Sequence, residues 1–197
     1  MKLILTDVDE TVLKCSIPLE RFFSERLSSS PTSNVINVRE AYGIGEDVAA
    51  GLIHDFWRSD IMKNMVPEPC AAEVLPRLYS QGWRFVAITA CADEPSIREN
   101  RMANLKAAFG FDWEDVHCTG YHSITPDGRN KKSEYLARYE PAIWVEDNYQ
   151  NALAGALLGH KSFLIHRDHN EDTEEHALVS RVKTWNEIEE YIKEHNL

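Results

Sequence analysis

Two rhythms of apolar and polar positions alternate along this chain. Short apolar runs closed by a polar residue read as buried strands, and stretches with apolar residues every three or four positions read as helices. The first run, Leu3-Ile4-Leu5, stops at Thr6-Asp7-Val8-Asp9. Arg84–Thr89, Asp115–Cys118, Ala142–Val145 and Ser162–Ile165 read as further strands. Helical spacing appears in Leu19-Phe22-Phe23-Leu27, and again from Glu46 to about Lys63 with Ala49, Leu52, Ile53 and Phe56 on one face. A helix over Ala71–Gln81 ends at Gly82, and Pro76 inside it is expected to kink it. Glu94–Phe109 turns Ile97, Met102, Leu105 and Ala108 inward and closes at Gly110. Later helices are expected from near Ser133, read as an N-cap, over Asn151–Leu158 and over Trp185–His195. Ser28–Asn34 and Thr125–Asn130 are loops by composition, and the acidic stretch Glu171–Glu175 reads as a solvated loop.

Strands alternating with helices predict an α/β fold, a Rossmann-like, doubly wound and mostly parallel sheet covered on both faces. The helical stretch after the first strand interrupts that alternation. It divides the chain into a core domain, residues 1–13 and 67–197, and a small helical insertion, residues 14–66.

Composition narrows the picture further. A chain of 197 residues with 43% hydrophobic content can build a proper core. The net charge of −11 disfavours contact with nucleic-acid backbones, which depends on clustered Lys and Arg. No apolar stretch reaches the roughly 20 residues that span a bilayer, so a soluble, cytoplasmic protein without a membrane partner is expected. Cys15, Cys70, Cys91 and Cys118 form no C-x-x-C pair and read as reduced thiols. Nothing in the sequence speaks to oligomeric state.

Candidate chemistry lies where apolar runs end. Strand alternation sends Asp7 and Asp9 to one side and Val8 back to the core, so two carboxylates face one point beyond the sheet. Such a pair repels unless a cation sits between them. The run ending at Val145 leads into a second acidic pair, Glu146-Asp147, and Arg84–Ile88 ends at Thr89.

Asp7-Val8-Asp9-Glu10-Thr11-Val12 resembles the first motif of the haloacid dehalogenase superfamily of phosphohydrolases. The resemblance implies an aspartate nucleophile at Asp7, an acid/base at Asp9, and Mg2+ held by Asp7 and the backbone carbonyl of Asp9. Position 10 is Gly in many members and Glu10 here, a change expected to alter the turn. Thr89 resembles the second motif, whose hydroxyl and neighbouring amides, Ala90 among them, hold the phosphate; Thr11 is a further candidate contact. Lys132, or alternatively Lys131, resembles the charge-balancing lysine of the third. Trp144-Val145-Glu146-Asp147-Asn148 resembles the fourth, with Asp147 as metal ligand, Glu146 supporting it and Asn148 orienting either. The insertion corresponds to a cap, which makes Phe22, Phe23, Tyr42 and Trp57 candidate substrate contacts, Phe23 and Trp57 foremost.

The implied activity is Mg2+-dependent hydrolysis of a small phosphomonoester through an aspartyl-phosphate. The stretch from Pro67 to Thr89 is loosely similar to the 5'-deoxyribonucleotidase branch, which puts nucleotides among the candidate substrates. Two rivals remain, a receiver-like signalling domain and a catalytically silent binding or regulatory protein. In a receiver the phosphorylated Asp ends the third strand, whereas here Asp7 follows the first and Cys118 ends the third.

Overall fold

The computed structural model describes residues 2–120, 125 and 128–197, with the backbone alone at residue 36. Among the described residues, β1 (Lys2–Thr6), β2 (Trp83–Thr89), β3 (Asp115–Cys118), β4 (Ile143–Glu146), β5 (Lys161–Ile165) and β6 (Val179–Val182) form one parallel sheet. Their order is β3-β2-β1-β4-β5-β6, so the direction of winding reverses between β1 and β4. In sheets wound both ways, ligands bind beyond the carboxyl ends of the strands at this switch point.

Side-chain alternation divides the sheet's two faces. Ile4, Phe85, Ala87, Ile143 and Val145 enter the larger core, while Leu5, Val86, Ile88 and Trp144 enter a smaller one with Leu136. Helices α5 (Pro69–Ser80), α6 (Pro95–Phe109) and α9 (Trp185–Glu194) bring buried residues to the larger core. On the other face lie α7 (Lys131–Leu136) and α8 (Tyr149–Leu157). Pro76 lies inside α5 without ending it, because Ala71, Val74, Leu75 and Leu78 bury one stripe on both sides of it.

Residues 14–66 hold α1 (Ser16–Leu27), α2 (Val38–Tyr42), α3 (Glu46–Arg58) and α4 (Asp60–Lys63). The two connections to the sheet run side by side, with Lys14 N donating to Val66 O at 2.9 Å and Glu68 N to Val12 O at 2.8 Å. The insertion's Phe22, Phe23, Phe56 and Met62 join the larger core directly.

The structure corrects several boundaries. The single helix expected from Glu46 to Lys63 breaks at extended Ser59, whose hydroxyl accepts from Met62 N and starts α4. The helix expected near Ser133 begins at Lys131, capped by Asn130, whose Oδ1 accepts from Ser133 N at 3.3 Å. Asn148 likewise caps α8, which starts two residues ahead of Asn151. β6 was not expected at all, because Val179-Ser180-Arg181-Val182 is a short edge strand with two polar residues. Of the expected turn 125–130, Pro126 and Asp127 lie outside the described residues, as does Met1 of the expected core domain. No helix among the described residues is long and apolar enough to cross a membrane.

Candidate active site

The site forms where β1 and β4 end next to each other. Asp7 N donates to Val145 O at 2.9 Å, which keeps β1 along β4 for one residue beyond the strand and aligns Asp7 with Glu146-Asp147. Asp7, Glu146 and Asp147 can each place a carboxylate oxygen within 4.8 Å of the others, and all three are buried. Lys132, in the first turn of α7 and 2% exposed, sits between two of them, its Nζ 2.6 Å from Asp7 Oδ1 and 2.5 Å from Glu146 Oε1.

Three buried carboxylates share one ammonium, with His169 at Asp147 the one further basic group in contact among the described residues. Burial pushes Asp7 up to about 7, against the pull of Lys132. Burial also raises Glu146 and Asp147, and for Asp147 it outweighs the contact with His169 Nε2 at 3.2 Å. His169 is raised in turn, first by its hydrogen bond with Asp147. Burial opposes the charge on Lys132, yet Asp7 and Glu146 together hold it above its ordinary value. A hard divalent cation relieves such strain, and an all-oxygen donor set suits Mg2+.

The three carboxylates are not equivalent donors. Both Glu146 oxygens are committed: Oε1 accepts from Lys132 and from Asn151 Nδ2 at 2.8 Å, and Oε2 from the backbone N of Asp147 and Asn148. Glu146 therefore holds the loop and the lysine, and Asp7 and Asp147 are left as carboxylates able to face a metal. The Asp9 side chain stands apart from this cluster and faces Arg101, so its backbone carbonyl is the donor Asp9 has to offer.

The other expected site residues separate into two groups. Thr89 is fully buried at the end of β2, next to Ala90 but lining neither cavity, and its Oγ1 has no partner among the described residues. Ala90 and Trp57 line cavities at the site. Thr11 is as buried as Thr89, but its Oγ1 lies 3.5 Å from Asp7 Oδ2, so its hydroxyl is turned to Asp7 rather than to a ligand. Phe23 is corrected as well: it is fully buried against Phe22 and Tyr42, a core residue of the insertion.

Two connected cavities meet at Asp9, Cys15, Leu19 and Ala90. The one over Asp7, Lys132 and Asp147 holds about 280 Å³. Its neighbour, about 380 Å³, lies under the insertion and is lined by apolar Leu19, Ile53, Phe56 and Trp57 together with Asn37, Arg39 and Glu46. A larger hollow of about 710 Å³ lies around Lys2, Trp83, Arg138 and Lys161, at the opposite ends of the strands and without a carboxylate cluster. The chemistry belongs with the smaller pair.

Glu10 shows what its substitution for Gly does to the turn. It takes a left-handed conformation at φ 58°, and its Oε1 accepts from Cys15 N at 2.8 Å and Ser16 N at 2.5 Å, capping α1. Arg167 Nε and Nη2 donate to the Glu10 carbonyl. The sequence reading missed Arg101, His169 and Arg167; only Arg101 left a signal, a charge at i+4 from Ile97 on the buried stripe of α6.

Comparison with known proteins agrees with this geometry. An uncharacterized 32.4 kDa protein of Enterobacteria phage T4 is 25% identical over 94% of this chain and 68% of its own length. A predicted phosphatase from Clostridium acetobutylicum superposes with a TM-score of 0.66 at 15% identity, covering 98% of both chains. A haloacid dehalogenase-like hydrolase from Streptococcus pneumoniae gives 0.63 at 13% identity over 97% of this chain and 98% of its own. CbbY from Rhodobacter sphaeroides, solved in complex with phosphate, gives 0.62 at 16% over 95% and 96%. No protein-family model matches the chain. The chain thus has the fold of the haloacid dehalogenase-like hydrolases.

Proposed function

We propose that the protein is a phosphatase that hydrolyses a small phosphomonoester through an aspartyl-phosphate on Asp7. One observation carries the reading: the carboxyl ends of β1 and β4 gather Asp7, Asp147 and Lys132 around a cavity, with the unpartnered Thr89 hydroxyl at the end of adjacent β2. The fold it shares with a predicted phosphatase and with CbbY, solved in complex with phosphate, supports the same class.

Asp7, Asp147 and the Asp9 backbone carbonyl would hold Mg2+, which when bound neutralises the charge between the nucleophile and the phosphate. An Asp7 oxygen attacks phosphorus and the ester P–O bond breaks, while Asp9, protonated on one oxygen with the other accepting from Arg101, gives that proton to the departing alkoxide. Asp9 then takes a proton from the water that attacks the phosphoryl group, releasing phosphate and restoring Asp7. Thr89 and the neighbouring amides hold the non-bridging oxygens, and Lys132 balances the charge on Asp7. The insertion, residues 14–66, acts as a cap that selects the leaving group. The lining of the cavity beneath it mixes apolar Phe56 and Trp57 with polar Asn37, Arg39 and Glu46, which suits a leaving group with both an apolar face and polar groups, a nucleoside among them.

A panel of nucleotides, sugar phosphates and p-nitrophenyl phosphate tests the reading. Phosphate release with Mg2+ that stops in excess chelator is the expected result. No release from any ester, or full release in chelator, overturns it.

A further inference from the structure

Arg101 is an unusual residue to bury. It lies on the inner stripe of α6 with its side chain 0% exposed, beside Ile97 and Leu105. Its Nη2 is 2.9 Å from both oxygens of Asp9, and Asp9 is the one carboxylate among the described residues that it pairs with. A buried guanidinium needs such a partner, and for stability alone a well-packed apolar side chain serves as well or better. The arrangement therefore calls for a reason other than packing.

Arg101 is fully buried and lines neither cavity of the site, whereas Asp9 lines both. The helix that carries it is fixed at several points. Glu94, capping α6, pairs with His54 Nε2 at 2.6 Å and with Arg58, both on α3 of the insertion. Arg98 donates to Val116 O at 2.8 Å on β3. Asn104 donates to Met65 O at 2.9 Å, and Arg101 Nη1 reaches Met65 Sδ at 3.9 Å, in the connection by which the insertion returns to the sheet. Asp9 has only a short side chain on a loop, 27% exposed, and no other basic group among the described residues pairs with it.

We propose that Arg101 is a positioning residue that aims the Asp9 carboxylate at the leaving-group oxygen, referencing that aim to the connection of the insertion through Met65. This rests on the phosphatase reading above and adds to it a residue outside the four motifs. A proton donor misplaced by about 1 Å loses much of its effect. The loss falls on esters whose leaving group must be protonated and spares those whose leaving group departs as a stable anion.

The test uses kcat/KM, which reports only the steps through leaving-group departure, for an alkyl ester (glycerol 2-phosphate) and an aryl ester (p-nitrophenyl phosphate). In Arg101→Met the alkyl value is expected to fall about 10²-fold, within the range that positioned proton transfer contributes. The aryl value should fall several-fold at most, and Arg101→Lys should lie between wild type and Arg101→Met on the alkyl ester. In an Asp9→Asn background, adding Arg101→Met should change the alkyl value by no more than about two-fold, because residues acting as a unit are not additive. Equal losses on both esters, or the same further loss in the Asp9→Asn background, overturn the role of Arg101. Wild-type protein that hydrolyses no ester of the panel above, these two included, contradicts the phosphatase reading instead.

Discussion

At residue 10 one side chain does two things that oppose each other energetically. The left-handed backbone of Glu10 costs about 1 kcal/mol in a residue with a Cβ, while its carboxylate caps α1 through Cys15 N and Ser16 N, a contact of about 1 kcal/mol. Glu10→Gly removes both terms and should leave stability nearly unchanged; Glu10→Ala keeps the strain and loses the cap, and should cost about 1–2 kcal/mol. Urea denaturation of the two variants checks the ranking, and an alanine variant as stable as the glycine one contradicts it. The same residue shows how far single positions can be read from sequence. A Glu where Gly is common signals a changed turn, but the partner that makes the turn tolerable comes from five and six residues further along the folded chain. Asp7, Thr89 and Asp147 stand out because each follows an apolar run, and a strand end is a position in space as well as in sequence. Arg101 carries only the faint mark of its place on the buried stripe of α6, since a lone Arg in a helix is ordinarily solvated and its partner Asp9 is 92 residues away.

Helix α8 packs its small residues onto the sheet. Gly155 lies so close to Trp144 that a Cβ there would come 2.3 Å from Trp144 Cδ1, well inside contact distance. The indole is held in place by its Nε1 hydrogen bond to Asn151 O at 3.0 Å, so it cannot simply swing away. Gly155→Ala would gain about 1 kcal/mol of helix propensity on an exposed helix, yet here overpacking should outweigh it and destabilise by about 1–3 kcal/mol. Thermal or urea unfolding decides, and a variant more stable than wild type contradicts the packing argument. Elements were the most legible level of this chain: strands and helices were readable because buried runs and amphipathic stripes are local patterns. What escaped was local chemistry that only tertiary contact reveals. Ser59 breaks α3 from α4 by accepting from Met62 N, Asn130 outcompetes Ser133 as a cap, and edge strand β6 has too few apolar residues to announce itself.

Across the whole molecule, the sheet order decides where chemistry can occur. Among the described residues, only at the reversal between β1 and β4 do two strand ends bring acidic residues together, and α7 delivers Lys132 to the same point from the sheet's other face. The insertion shares its core with the sheet, through Phe22, Phe23, Phe56 and Met62, and is tied to α6 by Glu94. It stands over the site as an extension of the core, and its inner wall forms the second cavity. The account's central claim is that Asp7 becomes phosphorylated during turnover. Borohydride added during turnover reduces an acyl phosphate to the alcohol, and peptide mass spectrometry then locates the product. The account predicts homoserine at position 7, formed only when substrate and Mg2+ are both present and absent from Asp7→Asn. Sustained phosphate release with Asp7 unmodified, or with the label on another residue, would contradict it.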